Sequence, residues 1–166
     1  MPMSKKMLTA LNDQITMELS ASHSYLAMAG WFESKNLPGM AGWMQMQSAE
    51  EREHGLKFFE FVVDRGEDVS LGALDAPESA FGSALEVFET ALAHEKSVTA
   101  AINNLYTLAN SEGEYEAIPL LTWFINEQVE EEASVDQVVE DLRRAEGDSQ
   151  VLLMLDRELG ARKGEE

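Results

Sequence analysis

Apolar residues recur at alternating steps of three and four along four long stretches of the chain. In the first they fall at Leu8, Leu11, Ile15, Tyr25, Ala29 and Phe32, and in the second at Met40, Met44, Phe58 and Phe61. The third carries Phe81, Leu85, Phe88, Leu92 and Ile102, and the fourth Leu121, Phe124, Val135, Val138 and Leu142. That period is the inward stripe of an amphipathic helix. With no strand pattern beside it, it predicts an all-α chain. Ser4 is placed to cap a first helix running to about Glu33, and Asn36-Leu37-Pro38 turns the chain into a second helix ending near Gly66. Residues 67–80 have no helical period and are long enough to run the length of a bundle. A third helix is expected from about Phe81 to Asn110 and a turn at Ser111-Glu112-Gly113. A fourth then runs to about Ala145, with Pro119 tolerated in its early part. Val151, Leu152, Leu155 and Leu159 predict a short fifth helix over about 148–160, before a charged tail at 161–166. Residues 1–166 thus form one expected domain, a four-helix bundle over about 4–145 with a long second-to-third crossover.

Polar residues interrupt every stripe. They are Glu18 in the first, Gln47, Glu51 and His54 in the second, Glu95 in the third, and Gln128 and Glu131 in the fourth. Glu95, Gln128 and Glu131 follow Glu18, Glu51 and His54 at a constant offset of 77 residues, so each half carries a lone carboxylate and then an i, i+3 pair. Glu18 and Glu51 flank the first turn at similar distances, as Glu95 and Gln128 flank the second. At about 1.5 Å per residue all six meet in one interior layer. Four carboxylates cannot all ionise in an apolar core, so the layer is either wet or holds cations. Two divalent ions match the charge of Glu18, Glu51, Glu95 and Glu131, with His54 and Gln128 as neutral ligands. This is the layout of carboxylate-bridged dinuclear bundles, although the second pair reads Gln-Glu instead of Glu-His. Oxygen-rich ligation with one imidazole and no sulfur suits iron or manganese, with zinc or copper competing by raw affinity.

Composition narrows the partners. The chain has 31 acidic and 12 basic residues and a formal charge of −19, a surface that repels nucleic acid and anionic membrane and attracts cations. It has no cysteine, which excludes disulfides and thiolate metal sites and is compatible with a reducing compartment. Met-Pro-Met-Ser-Lys-Lys is not followed by a signal-peptide apolar core and no run approaches a membrane span, so the cytoplasm is the expected location.

Glu50-Glu51-Arg52-Glu53-His54, with Glu18 and Tyr25 upstream, Glu95 in the third helix and Glu127-Gln128-Val129-Glu130-Glu131 in the fourth, resembles the non-haem bacterial-type ferritins. The resemblance covers nearly the whole chain, including the segment Val151 to Leu159. It implies a ferroxidase centre in which Glu18, Glu51 and His54 hold one iron, Glu95 anchors a second and Glu51 bridges both. Gln128 and Glu131 would complete the second site or contact its solvent. Glu50, Glu127 and Glu130, with Glu131, match a third iron site. Tyr25 matches a tyrosine beside the iron pair, a hydrogen-bond partner or one-electron donor. Trp123 is a packing residue or an aid to electron transfer, and His23 and His94 are surface residues. The substrates implied are ferrous iron and dioxygen or hydrogen peroxide, the product a ferric mineral, and the assembly a hollow homo-oligomeric shell of twenty-four copies. One histidine instead of two favours iron as substrate over iron as permanent cofactor.

Departures from related patterns matter as well. Arg52 stands where bacterioferritins carry a haem-ligating Met, so no haem is expected. The positions that line acidic three-fold channels in animal ferritins match Ile118 and Leu121, which leaves other pores, or Glu112, Glu114 and Glu116, as a route for iron. Two other classes stand against this reading. A di-iron oxidase or oxygenase would need a substrate cavity, whereas Phe58, Phe61, Phe88 and Phe124 fill the seam. A helical scaffold would carry an idle metal layer.

Overall fold

The computed structural model describes residues 2–164, which form helices and connections with no strand. The fold is α1 (Lys5–Ser34), α2 (Pro38–Asp64), α3 (Ala84–Glu112), a single 3-10 turn (Tyr115–Ala117), α4 (Ile118–Arg144) and α5 (Ser149–Gly160). The charged tail's Glu165 and Glu166 lie outside the described residues.

Helix ends follow from local chemistry. The Ser4 hydroxyl accepts from the Met7 N–H at 3.1 Å and starts α1. Ser83 caps α3 in the same way, accepting from the Glu86 N–H at 3.1 Å, so α3 begins at Ala84, after Phe81. Phe81 packs edge-on against Trp31 from the connection, with centroids 6.0 Å apart. At the other end α3 continues through Ser111 and Glu112 and stops at Gly113, whose φ of 68° is the left-handed conformation that ends helices cheaply only at glycine. Pro119 then falls in the first turn of α4, where its missing N–H would have had no partner in any case. It starts the helix and does not interrupt one.

The connection from Arg65 to Ser83 climbs beside α1 in register. Glu67 accepts from the Met3 N–H at 3.0 Å, Asn12 donates to the Asp68 carbonyl at 3.2 Å, and Thr16 accepts from the Gly72 N–H at 2.9 Å. The chain therefore returns to the far end of the bundle, and α3 descends parallel to α2. Two apolar clusters result. One, around Met28, Phe32, Met40, Phe88 and Val135, fills the end near the α1–α2 turn. The other, around Met7, Leu11, Phe58, Ile102 and Phe124, fills the opposite end, where Phe58 stacks on Phe124 at 4.2 Å.

α5 lies on the start of α2. Leu37 offers no side-chain cap there, and the buried carboxylate of Asp156 supplies one, accepting from the Met40 N–H at 2.8 Å. The approach requires glycine: a Cβ on Gly39 would run into the Asp156 carbonyl, and one on Gly160 would lie 2.9 Å from the Gly39 Cα. This docking carries the residues after α5 across α2 toward the middle of the bundle.

Candidate metal centre

Between the two apolar clusters lies a polar layer. Glu18, Gln47, Glu51, His54, Glu95, Gln128 and Glu131 are all buried, with exposures of 4% or less. Helical geometry produces this, since residues three, four and seven apart share a face and each helix contributes its inward stripe at the same height. All six residues whose spacing predicts the layer are in it, and so is Gln47.

Their contacts are specific. The Glu51 carboxylate contacts His54 Nδ1 at 3.3 Å and accepts from Gln47 Nε2 at 3.1 Å. Gln47 Nε2 also donates to Glu131 at 2.5 Å. Glu95 accepts from the Tyr25 hydroxyl at 2.5 Å and from Gln128 Nε2 at 3.2 Å. Glu18 accepts from Gln14 Nε2 at 2.9 Å through one oxygen, while its other oxygen, Oε2, is buried with no hydrogen-bond partner. Gln128 likewise spends its Nε2 on Glu95 and Thr99 and leaves Oε1 without one. Buried polar atoms are normally satisfied, so two orphaned oxygens in one layer point to an electrophile that completes it.

Charge follows from these partners. Burial raises the Glu131 carboxyl to about 10 and Glu95 to about 8, with the Glu51 charge adding to both. Burial and then Glu51 also raise Glu18 well above the carboxylate range. Burial would raise Glu51 too, but its hydrogen bond to His54 and the charge on that imidazole outweigh it and hold Glu51 low. Burial opposes the charge on His54, and its contact with Glu51 prevails and raises it. Tyr25 is raised by burial and by the carboxylate of Glu95. The layer is thus one ion pair surrounded by carboxyls that hold protons until a cation displaces them.

Three groups of side chains place ligand atoms within 4.8 Å of one another: Glu18, Glu51 and His54; Glu51, Glu95 and Glu131; and His54, Glu127 and Glu131. Glu51 belongs to the first two. The residues matched to a third iron site are only partly gathered. Glu127 is buried, with a carboxylate oxygen 3.9 Å from His54 Nε2. Glu50 forms an ion pair with Arg162 at 3.0 Å, and Glu130 is exposed. Trp123 lies edge-on to His54 at 5.7 Å, with the Lys57 ammonium 4.4 Å above its ring. A cavity of about 600 Å³ lined by Glu50, Glu53, His54, Lys57 and Trp123 opens beside this group. His23 is exposed, whereas His94 is half-buried and its pKa is lowered by burial. Of the alternative route residues, Glu114 is buried, accepting from the Ser4 N–H at 2.7 Å and pairing with Arg65 at 3.1 Å. It anchors the ends of helices. The spacing put Gln47 on the inward stripe but gave no sign of Gln14 or Arg162 as partners of the layer. The i, i+4 step from Gln14 to Glu18 is the signal that could have found the first.

Known proteins are similar to this chain over nearly its whole length. The bacterial non-heme ferritin of Staphylococcus saprophyticus is 41% identical over 164 residues, covering 99% of this chain and 98% of its own. That of Staphylococcus aureus strain USA300 is 39% identical over 99% of both chains. Among solved structures, an open pore ferritin from the hyperthermophilic archaeon Archaeoglobus fulgidus is 42% identical with a TM-score of 0.96, covering 97% of this chain and 98% of its own. A humanized archaeal ferritin superposes with a TM-score of 0.97 at 40% identity over 99% of each chain. The ferritin-like domain family model matches residues 8–145, which span all the layer residues, and the chain belongs to that family.

Proposed function

We propose that this chain, acting as one domain over residues 1–166, stores iron: it oxidises ferrous ions with dioxygen or hydrogen peroxide in the buried layer and deposits the ferric product inside a hollow shell of its own copies. The observation that carries the reading is the sharing of Glu51 between two ligand groups, which allows one carboxylate to hold two substrate ions as neighbours. Two ferrous ions supply two electrons to one dioxygen, so adjacency is what the chemistry needs. Glu18, Glu51 and His54 hold the first ion, and Glu51, Glu95 and Glu131 the second, with the buried oxygen of Gln128, which has no hydrogen-bond partner, left to complete the layer. Tyr25 holds Glu95 in place through its hydroxyl. Glu127, beside the second ring nitrogen of His54 and near Glu131, gives the oxidised ion a next position, and neither Glu50 nor Glu130 is part of that group.

Several features support this over an oxidase acting on an organic substrate. Phe58 and Phe124 close the layer from below and Phe88 packs above it, and the cavity of about 600 Å³ beside His54 carries the charged Glu50, Glu53 and Lys57 on its wall, which suits ions and small oxidants better than an apolar substrate. Exposed Leu153 and Met154 on α5, with Leu26, Phe59 and Val63 on the bundle, supply apolar surface for copies to pack on. The ferritin neighbours support an assembly of many copies, which we infer to number twenty-four. A charge of −19 draws cations toward it. Among the described residues no helix is long and apolar enough to cross a membrane, and the cytoplasm is the proposed location, with which a chain without cysteine is compatible.

The test is stopped-flow absorbance after mixing apo-protein with two ferrous ions per subunit and oxygen, for the wild type and Glu95→Ala. A fast diferric signal present in the wild type and lost in the variant supports the centre. Equal, uncatalysed rates in both would reject it.

A further inference from the structure

Arg162, which follows α5, reaches back over α2 and makes four directed contacts. Its guanidinium lies 4.4 Å from the centroid of the Trp43 ring. Nη1 donates to the Trp43 carbonyl at 3.2 Å, and Nη2 donates to Gln47 Oε1 and to Glu50 Oε2, both at 3.0 Å. Stacking and the planar fork together fix the guanidinium in position. Gln47, 1% exposed, passes the order inward, because its Nε2 donates to Glu51 and to Glu131.

The donor chemistry decides which way this amide faces. Arginine only donates, so the Gln47 oxygen must turn toward Arg162 and the amide nitrogen toward the carboxylates. The two N–H groups are then spent on carboxylates of two helices, α2 and α4. We propose that Arg162 is a positioning residue of the metal centre: by holding the Gln47 oxygen it aims the amide at Glu51 and Glu131 and so sets which of their oxygens remain for cations. The proposal rests on the reading above that the layer binds the ferrous substrate. It makes the docking of α5, through Asp156 on Met40 and the Gly39–Gly160 approach, a condition for a well-aligned centre. Without Arg162 the amide is free to turn its oxygen inward, where it would face the Glu51 anion and give up the hydrogen bonds that now hold Glu51 and Glu131.

Cobalt(II) is the probe, titrated into the assembled apo-protein and followed by visible ligand-field absorption, which reports geometry without iron turnover. Arg162→Ala is expected to weaken cobalt binding about tenfold and shift the band, the size usual for groups that orient ligands. Arg162→Lys, which keeps a donor for Gln47, recovers much of the loss, and Arg157→Ala on the exposed face of α5 changes nothing. A merely structural role is separated by a double-mutant cycle. In a Gln47→Leu background Arg162→Ala should cost no further affinity. An unchanged titration in Arg162→Ala, or an equal loss with and without Gln47, would overturn the proposal. Wild-type cobalt binding that is sensitive to Glu95→Ala alongside that result would leave the metal centre itself standing. Wild-type protein that binds no cobalt in a Glu95-dependent way would overturn both.

Discussion

The two halves of the bundle carry the same spacing of polar residues and reach the same layer in different electrostatic states, because only the α1–α2 half holds a formed ion pair. In the α1–α2 half, Glu51 and His54 lie 3.3 Å apart as an ion pair, with the carboxyl held low and the imidazole raised. In the α3–α4 half, Glu95 is pushed up to about 8, Glu131 to about 10, and the position matching Glu51 is the amide Gln128. Spacing therefore fixes where a side chain sits, and its partner fixes what charge it carries there. The first position offers one formed anion, Glu51, beside a Glu18 that holds its proton. The second shares that anion, and both of its other carboxyls must release protons before they can hold a cation. This asymmetry suits a site whose metal comes and goes.

Removing the charged half should have the largest effect. Glu51→Ala takes a ligand from both proposed positions at once and leaves His54 without its partner. Ferrous oxidation is expected to fall by about a hundredfold or more, comparable with losing a group that acts in the reaction itself. Glu18→Ala should instead spare the second position, and cobalt titration would then give one bound ion per subunit. Equal losses from the two variants in stopped-flow and titration would show that Glu51 is not shared.

Making the halves alike tests the asymmetry in the other direction. Gln128→Glu adds a fifth carboxylate to the layer. The variant is expected to bind cobalt about tenfold more tightly at alkaline pH, through an additional anionic ligand. Without metal it should be less stable than the wild type, because the new carboxyl joins Glu18, Glu95 and Glu131 in an already crowded layer. Calorimetry of the metal-free and cobalt forms reads both effects. A variant stabilised in the absence of metal would mean the layer is hydrated and its charges are screened.

The proton-holding half also gives the protein a pH dependence of definite sign. Unfolded glutamates titrate near ~4.3. Glu95 and Glu131 titrate higher in the fold, so the stability they contribute is complete below that value and is lost as pH rises through about 8 and about 10. Glu51, held low, works in the opposite sense: its contribution is present above the unfolded value and is lost as pH falls through its folded one. Between about pH 6 and about pH 9 the first effect dominates. The melting temperature of the apo-protein should drop by roughly 5 °C or more across that range. Cobalt should reverse the slope, because metal binding needs the deprotonated ligands and strengthens with pH. A flat apo curve would mean that these carboxyls ionise normally.

How much of this was legible in the sequence differs between position and state. Steps of three and four placed all six layer residues correctly, because helical geometry is local and each stripe runs through one unbroken helix. The boundaries of α3 and α4 were less well placed. The Ser83 hydroxyl starts α3 at Ala84, after the expected Phe81, α3 runs through Ser111 and Glu112 to the left-handed Gly113 of the expected turn, and α4 begins only at Ile118, which puts Pro119 in its first turn. Glu130 lies about 100° around α4 from Glu131 and so faces outward, which the run of acidic residues concealed. That the four carboxylates cannot all ionise was legible, but which of them keeps its charge was not, since that depends on which oxygen meets which donor across helices. The same holds for Arg162, which is 115 residues from Gln47 and reads in sequence as part of a solvated tail. Contacts made by docking one helix on another leave no periodic trace.

The smallest effect comes from Tyr25, and it separates two roles that the resemblance left joined. The phenol is 1% exposed and its hydroxyl donates to Glu95 at 2.5 Å. Tyr25→Phe keeps the ring and its packing against the upper cluster, so stability should fall by only about 1 kcal/mol, the usual net worth of one hydrogen bond. The bond also favours the ionised form of Glu95, working against the burial that raises it. Without it Glu95 holds its proton more tightly, and cobalt binding at the second position should weaken several-fold, more at pH 6 than at pH 8. If Tyr25 serves instead as a one-electron donor, cobalt affinity and its pH dependence will match the wild type while ferrous oxidation slows. Titration at two pH values beside stopped-flow oxidation assigns the hydroxyl to orienting a ligand or to supplying an electron.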